Sequence, residues 1–475
     1  MNPALPAPRD MRFEVVALFA AIASGAILVV APRDLIFVVA VLSALTALSA
    51  WRPVYGLGAL LLTVPIQASV TLGLGARQLT FTKIALAALV AGWLFRLVFR
   101  GELPRLNFVL FAFIAYLCAL LASIWNAQDH SAWAGEVYRW LTAALIYAIA
   151  SSVFRRRDDF VAILLATGVS VIACAIAAVA QVVRHSGPPS FTIGGVTRAF
   201  GAFGEPNPFA AYFEIAALPL AGIALTLLLS SGRRRHLLAI GAAGFAACAG
   251  LLGVYLTHSR GGAIGTAAGV VAIGLVVDRR VRLLVLGLAG VAALGLMLTG
   301  SADREVNRLD SLAHGWNSPI QVTSANFSVE ERVAHWGAAV RMWEAHPIVG
   351  VGAGNFNDNF RVYTPEWRFR IPRGHAHNNY LQAAAQAGTL GLVSYVALLG
   401  AALFACARAL RRSADVWERA VAVGAIGATI AVMTHGVFDY LHVLNLGLQL
   451  SVVWASVEFS QLHHRNESKK GNRVV

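Results

Sequence analysis

Charged side chains are scarce in this chain of 475 residues, because Asp, Glu, Lys and Arg together make up 13% of it. A soluble domain usually carries about 25%. Hydrophobic residues make up 58%, and apolar runs of about 20 residues, the length that crosses a bilayer, recur along the chain. The composition excludes an ordinary soluble protein and predicts an all-α polytopic integral membrane protein.

Acidic residues are few as well, 24 against 38 basic ones, which gives a net charge of +14. A basic excess of this size can indicate nucleic-acid binding. Here the basic residues lie in short loops between apolar runs instead of one patch, which is the positive-inside pattern of membrane proteins. We therefore expect membrane lipids, and no nucleic acid, as partners.

Cysteines are limited to four, and each falls inside an apolar run far from the others. This spacing predicts neither a disulfide framework nor a zinc site. Buried cysteines usually behave as small hydrophobic residues. We expect this of Cys118, Cys174, Cys248 and Cys406.

About 12–14 segments meet or approach the length of a transmembrane helix. The first follows Arg9 and Arg12 like the apolar part of a signal peptide, but no clean cleavage site follows it, so we expect a retained helix. The segments lie near 13–31, 35–50, 56–73, 80–99, 106–125, 134–153, 160–183, 207–230, 237–257, 262–277, 282–300, 388–408, 418–435 and 441–460.

Basic clusters alternate with loops that hold single arginines, and this asymmetry sets the orientation. The clustered side is expected to be cytoplasmic, together with both termini, and the long loop 301–387 is expected to be periplasmic. The chain then divides into a transmembrane bundle 1–300, the loop 301–387 and a C-terminal part 388–475. The clusters are Arg96, Arg100 and Arg105; Arg155 to Arg157; Arg233 to Arg235; Arg279, Arg280 and Arg282; Arg411 and Arg412; and Lys469 and Lys470. The single arginines are Arg33, Arg77, Arg184, Arg198 and Arg260.

The long loop carries helix signals. Ser328 and Glu331 have the spacing of a capping box, and Pro347 is expected to end the helix that follows. A second helix is expected to start near His377 and to kink at Gly388. The apolar face of the first helix, which we expect to rest on the membrane or the bundle, consists of Val333, Trp336, Val340 and Trp343.

Two arginines on the predicted outer side are candidate anion ligands. Arg198 lies in a short outer loop, where an anion ligand and an interface anchor are both plausible, and Asn207 opens the next span, where capping is favoured. Arg260 stands in a Ser-Arg-Gly-Gly turn, and its planar fork fits phosphate oxygens. The alternative for Arg260 is a snorkelling side chain.

Alternating glycines at 350, 352 and 354 permit an irregular backbone with exposed amides. A phosphate-binding loop is one reading. A tight connector is favoured, because no Lys-Ser or Lys-Thr follows as in a P-loop.

His377 is the candidate general base. It lies in a His-Ala-His-Asn-Asn stretch at a predicted helix start, where the positive helix end favours a neutral ring that can accept a proton. A structural role stays open. His375 and His377 could instead bind a metal with His335 or His346, but no carboxylate or cysteine spacing accompanies them, so we expect no metal.

Several ionisable residues fall inside predicted spans, where charge is costly. Glu136 and Arg139 are three residues apart and are expected to pair on one helix face. A functional role and a packing role both remain open for this set, which comprises Lys83, Glu136, Arg139, Glu214 and Asp439.

The order of these motifs resembles a known family. Asn-Pro at 207, Ser-Arg-Gly-Gly at 259, Arg332 with Trp336 four residues later, the glycine stretch at 350, and His377-Asn378 with Leu381 and Gly388 follow one another over about residues 190–460. This pattern is similar to the O-antigen ligase and polymerase superfamily of bacterial envelope glycosyltransferases. Within that superfamily it resembles the ligases most.

The resemblance implies a GT-C-like membrane enzyme of the bacterial inner membrane that performs inverting, metal-independent glycosyl transfer on the periplasmic side, without a cofactor. The donor would be O-antigen on undecaprenyl diphosphate and the acceptor the lipid A–core oligosaccharide. By motif, His377 corresponds to the essential histidine, and Arg260 and Arg198 to the arginines that bind the diphosphate. Supporting roles are expected for Asn378, Asn207, Arg139 and Asp439.

One basic and aromatic stretch, residues 367–373, matches no motif of that family. It suits the headgroup interface, and it would also suit the phosphates of a lipopolysaccharide core. Its candidate acceptor-binding residues are Arg368, Arg370 and Arg373. The alternative functions are an O-antigen polymerase, a protein O-oligosaccharyltransferase and, outside the enzymes, a transporter of lipid-linked sugars, which would line a path through the spans with charge.

Overall fold

The computed structural model describes residues 33–67, 71–74, 77–154, 156–193, 195–298, 327–364, 369 and 371–459. Within these ranges the chain is almost entirely helical, which confirms the all-α prediction. The strands of the described part form two short antiparallel hairpins, β1 (Thr71–Leu74) with β2 (Arg77–Thr80) and β3 (Thr192–Ile193) with β4 (Val196–Thr197).

Fifteen α-helices are numbered here in chain order through the described ranges. They are α1 Arg33–Trp51, α2 Pro53–Thr63, α3 Phe81–Arg100, α4 Phe108–Ala122, α5 His130–Val153, α6 Arg157–Val183, α7 Pro206–Leu229, α8 Leu237–Leu256, α9 Arg260–Val277, α10 Arg279–Leu298, α11 Phe327–Ala345, α12 Phe356–Tyr363, α13 Asn379–Arg412, α14 Val416–His435 and α15 Leu446–Ser456.

Eight of the described helices are long and apolar enough to cross a membrane: α3, α4, α6, α7, α8, α9, α13 and α14. The protein is therefore a multi-pass membrane protein. Shorter apolar helices cover Ile36–Trp51, Pro53–Ile66 and Leu446–Ser456. Every predicted segment after the first overlaps a described helix, and the first, 13–31, lies outside the described residues.

Helix α7 lies at the centre of the bundle and packs against α8, α9 and α14. Glycine lets α7 and α14 approach closely, because a Cβ on Gly222 would lie 2.4 Å from the Cα of Gly424. Small residues at helix contacts replace the hydrophobic effect as the source of tight packing in a bilayer. This contact brings the N-terminus of α7 near the residues that follow α14.

Helices α11 and α12 and the start of α13 share a second, smaller core. The predicted apolar face of α11, which contains Trp336 and Trp343, is half-buried. A second face of α11 is fully buried against α12 and α13. Its members are Ala338, Ala339 and Met342. The helix ends at Ala345, before Pro347, as predicted. The predicted cap residue Ser328 has a side chain outside the described set.

The glycine stretch after α11 is a tight connector. Gly350 and Gly354 have positive φ angles of 68° and 73°, and a Cβ on either would lie within 2.4 Å of another backbone atom. The amide of Gly352 donates to the carbonyl of Gln386. The amide of Gly350 likewise donates to the carbonyl of His346, so neither of these two amides is open to a phosphate. The predicted kink of α13 is confirmed at Ala387 and Gly388, where the dihedral angles leave the helical region.

Candidate functional site

Asn378 ties the start of α13 to the segment that follows α14. Its side-chain oxygen accepts from the amides of Tyr380 and Leu381, both at 2.9 Å, and so caps the helix. Its side-chain nitrogen donates to the carbonyl of Val437 at 2.9 Å. His377 stands immediately before this cap, with a left-handed φ of 51°. The cap therefore directs the His377 ring toward residues 436–442.

The ring of His377 meets a buried carboxylate. Nδ1 of His377 lies 3.0 Å from Oδ1 of Asp439, and the Asp439 side chain is 7% exposed. Burial alone would raise the pKa of the Asp439 carboxyl, but the hydrogen bond from His377 and the charges of nearby histidines outweigh it, so that pKa lies below its usual value. An ionised carboxylate only accepts hydrogen bonds, so Nδ1 carries the proton and Nε2 of the neutral ring is an acceptor.

Asp439 extends this contact to a chain of four residues. Its Oδ2 accepts from the side-chain nitrogen of Asn207 at 2.6 Å, and the side-chain oxygen of Asn207 accepts from Nη2 of Arg198 at 3.1 Å. Arg198 also donates from Nε to the carbonyl of Thr257 at 3.0 Å. The structure thus brings Arg198, Asn207, Asp439 and His377 together in one hydrogen-bonded relay.

Asn207 does not cap α7, so that interpretation of the sequence was wrong. The N-cap is Glu205, whose side chain makes no capping hydrogen bond, and Pro206 occupies the first helical position. Proline has no amide proton to be capped, and it moves Asn207 inside the first turn. The Asn207 amide is then available to bridge Arg198 and Asp439.

Arg198 lies within electrostatic reach of two other arginines, Arg332 and Arg260. Burial lowers the pKa of Arg198, and the positive charges of Arg332 and Arg260 lower it further. Arg260 is exposed at the first position of α9, whose cap is the side chain of Ser259. Arg332, on α11, received no role from the sequence. The sequence signal that could have drawn attention to it is Trp336, four residues later. The indole of Trp336 donates to the carbonyl of His377 at 3.2 Å and so joins α11 to the site.

Two further histidines surround His377. The rings of His375 and His335 lie 4.4 Å and 5.5 Å from it, centroid to centroid. Burial lowers the pKa of His375 to about 3, helped by the charge of His377, and burial lowers the pKa of His335 to about 4. Nδ1 of His375 accepts from the amide of His377 at 3.2 Å. Both neighbours are therefore neutral near neutral pH.

Part of the chain matches a known protein family. Residues 245–396 match the family model described as O-antigen ligase, and the matched segment contains Arg260, Arg332 and His377. Residues 245–396 therefore form an O-antigen ligase domain, which supports assignment of the chain to the O-antigen ligase family. Its members are glycosyltransferase-like enzymes of the ligase and polymerase type. No curated protein matches the chain. Arg198 and Asp439 lie outside the O-antigen ligase domain in sequence and join it through the relay.

The site also contains a candidate metal-ligand set. Donor atoms of His375, His377 and Asp439 all lie within 4.8 Å of one another. Two imidazoles and a carboxylate are ligands that zinc accepts, and the fold supplies the carboxylate from a residue 62 positions away from His377 in the chain. A metal there would replace the hydrogen bond between His377 and Asp439. His346 lies apart from this set, with Nε2 3.3 Å from the hydroxyl of Tyr363.

A second polar cluster supports the segment that carries Asp439. The predicted pair is confirmed, with Nη1 of Arg139 2.6 Å from Oε2 of Glu136. Oε1 of the same carboxylate accepts from the hydroxyl of Tyr440 at 2.6 Å, and Arg139 donates to the carbonyl of His442 at 3.3 Å. Arg139 and Glu136 therefore hold residues 440–442, which directly follow Asp439.

The structure describes only one of the three candidate acceptor-binding arginines. Arg373 is half-exposed, and its Nε lies 2.9 Å from Oε1 of Glu331 on α11. Arg368 and Arg370 lie outside the described residues. Glu205, which the sequence did not single out, also faces this region. Burial raises its pKa, as does the charge of Asp439, and His377 and Arg373 oppose that rise.

Proposed function

We propose that this protein is an O-antigen ligase, which transfers O-antigen from undecaprenyl diphosphate to the lipid A–core oligosaccharide. The observation that carries the proposal is the pairing of His377 with buried Asp439. Asn207 links that carboxylate to Arg198, which lies within electrostatic reach of Arg260 and Arg332. Transfer of a sugar from a diphosphate to a hydroxyl requires a base for the hydroxyl and a neighbouring site for the diphosphate anion.

Nε2 of His377 accepts the proton of the acceptor hydroxyl as that oxygen attacks the anomeric carbon. The bond from the anomeric carbon to the phosphate oxygen breaks, and its electron pair leaves with undecaprenyl diphosphate. Attack from the face opposite the leaving group inverts the anomeric configuration. Asp439 stabilises the imidazolium that forms and holds the ring in the required tautomer.

The arginines meet the charge that develops on the leaving diphosphate. Guanidinium groups present paired donors that fit phosphate oxygens, and they replace a metal ion in this role. Arg198 is held by Thr257 and Asn207. A group fixed in this way needs little reorganisation during the reaction, which is the basis of electrostatic stabilisation.

We place the site at the periplasmic face of the inner membrane, with both termini in the cytoplasm. The arginine asymmetry of the loops supports this orientation. A donor with a long lipid tail also favours a site at the end of the bundle, because the tail can then stay in the bilayer while the diphosphate reaches the arginines.

The basic segment that contains Arg373 supports the ligase over the polymerase, because a lipid A–core acceptor carries phosphates and a growing O-antigen need not. Glu331 holds Arg373 beside α11, which directs one end of this segment toward the site. The polymerase shares the donor and the base and is the second candidate.

The test is transfer in vitro by the purified full-length protein, with undecaprenyl diphosphate-linked O-antigen as donor. We expect product on lipid A–core and none with an acceptor peptide. Longer chains on undecaprenyl diphosphate without core would identify a polymerase, and product on the peptide a protein O-oligosaccharyltransferase. Movement of donor across vesicle membranes without product would identify a transporter.

A further inference from the structure

A pair of ionisable side chains lies buried in the bundle beside the candidate site. Nδ1 of His435, the last residue of α14, is 2.8 Å from Oε1 of Glu214 in α7, and both side chains are 0% exposed. Ionisable groups buried in a membrane protein are costly and usually have a function. The proposed transfer does not use this pair, so its presence needs another explanation.

Three glycines at the start of α9 face the pair. A Cβ on Gly261 would lie 2.7 Å from Cδ2 of His435, and a Cβ on Gly262 would lie 3.1 Å from Oε1 of Glu214. A Cβ on Gly265 would lie 3.0 Å from Oε2 of the same carboxylate. The lack of side chains here lets both ionisable groups pack against the backbone of the first turns of α9.

Backbone connections link the pair to the two turns that carry Arg260 and Asp439. On one side, Gly261 follows Arg260 directly, in the turn that Ser259 caps. On the other side, the carbonyl of His435 accepts from the amide of Asp439 at 3.1 Å. His435 therefore stands between the turn that carries the arginine and the turn that carries the carboxylate.

We propose that the Glu214–His435 pair is a positioning element, which holds Arg260 and Asp439 at the separation that glycosyl transfer requires. The inference rests on the proposed function, because the placement of Arg260 matters only if Arg260 binds the donor diphosphate. Neither Glu214 nor His435 touches the substrate. They act through the start of α9 and through the segment that follows α14.

The first test is Glu214→Gln in the full-length protein, which keeps the shape of the side chain and removes the ionisable carboxyl group. We expect binding of undecaprenyl diphosphate to weaken and the KM for the lipid-linked donor to rise by about 10- to 100-fold, because small displacements of a binding group have effects of that size. The thermal unfolding temperature should change little. A KM effect of this kind is not expected from a residue that only stabilises the bundle.

A matched control removes another buried contact of α7. Tyr212 precedes Glu214 by two residues in α7, and its hydroxyl lies 2.6 Å from the hydroxyl of Ser170 in α6. Ser170→Ala should lower the unfolding temperature and leave binding of undecaprenyl diphosphate unchanged. This control separates a general loss of stability in α7 from a change at the site.

The inference is overturned if Glu214→Gln binds undecaprenyl diphosphate with wild-type affinity and has the wild-type KM. Should that variant fail to fold, Gly261→Ala decides the matter, because its new methyl group presses on His435, and wild-type binding by that variant would overturn the inference. Wild-type protein that does not bind undecaprenyl diphosphate at all would instead refute the proposed function.

Discussion

Nδ1 of His377 lies 3.0 Å from Oδ1 of Asp439, although 62 residues separate the two in the chain. The contact joins the cap of α13 to the segment after α14. It gives the ring a defined tautomer, and through Asn207 it joins the ring to Arg198. The proposed base and the proposed anion site are therefore parts of one hydrogen-bonded unit.

His377→Ala should reduce transfer by about a hundred- to ten-thousand-fold, the usual cost of losing a positioned base. Binding of undecaprenyl diphosphate and membrane insertion should be unaffected. The measurement is the single-turnover rate with purified donor and core acceptor. His375→Ala is the neighbouring control and should have a smaller effect. Near-wild-type turnover by folded His377→Ala would refute the assignment.

Asp439→Asn should reduce the rate by about ten- to ten-thousand-fold, because an amide can donate to Nδ1 and favour the wrong tautomer. The KM for the donor should change less than kcat. Asn207→Ala leaves the carboxylate in place and should be milder. Equal rates for wild-type protein and Asp439→Asn would show that the carboxylate only packs against the ring.

Activity should fall as the pH is lowered, because the base must be neutral. The pKa of Asp439 lies below its usual value, so this carboxylate stays ionised throughout the range and does not contribute to the fall. The measurement is the pH profile of kcat, compared between wild-type protein and Asp439→Asn. A rate that stays constant from neutral pH down to the acid limit of folding would contradict a role for a neutral histidine.

Arg198→Ala and Arg260→Ala should each weaken binding of undecaprenyl diphosphate, by about 1.5–3 kcal/mol for each charged hydrogen bond that is lost. Arg260→Lys should restore binding only in part, because an ammonium lacks the paired donors of the guanidinium. Equilibrium binding of the radiolabelled diphosphate measures the effect. Arg234→Ala, in the predicted cytoplasmic cluster, is the control. Normal binding by both alanine variants would exclude the arginines as ligands.

Chelators should not change the rate, because the proposed chemistry needs no metal. The measurement is transfer before and after EDTA treatment, with metal content determined by mass spectrometry. Inhibition by EDTA that zinc reverses would instead assign His375, His377 and Asp439 as ligands, as their 4.8 Å cluster allows. Metal content lost together with activity in His375→Ala would support the same conclusion.

The sequence by itself determined the features that depend on short-range patterns. Apolar length identified the segments that became helices, Pro347 marked the end of α11 and Gly388 the kink of α13, since chain stiffness and backbone dihedral angles are local properties. The motif order identified the family, which the match over residues 245–396 confirmed. The orientation in the membrane remains a prediction from the arginines.

Only the tertiary structure decided which polar groups from distant parts of the chain meet. Asn207 and Asp439 are 232 residues apart, and nothing in the spacing of either predicts the other. The same holds for Arg332 on α11, which lies within electrostatic reach of Arg198, and for His435, which meets Glu214 across two helices. Such contacts depend on how helices pack, and the packing is set by glycine and alanine faces whose partners a one-dimensional pattern does not name.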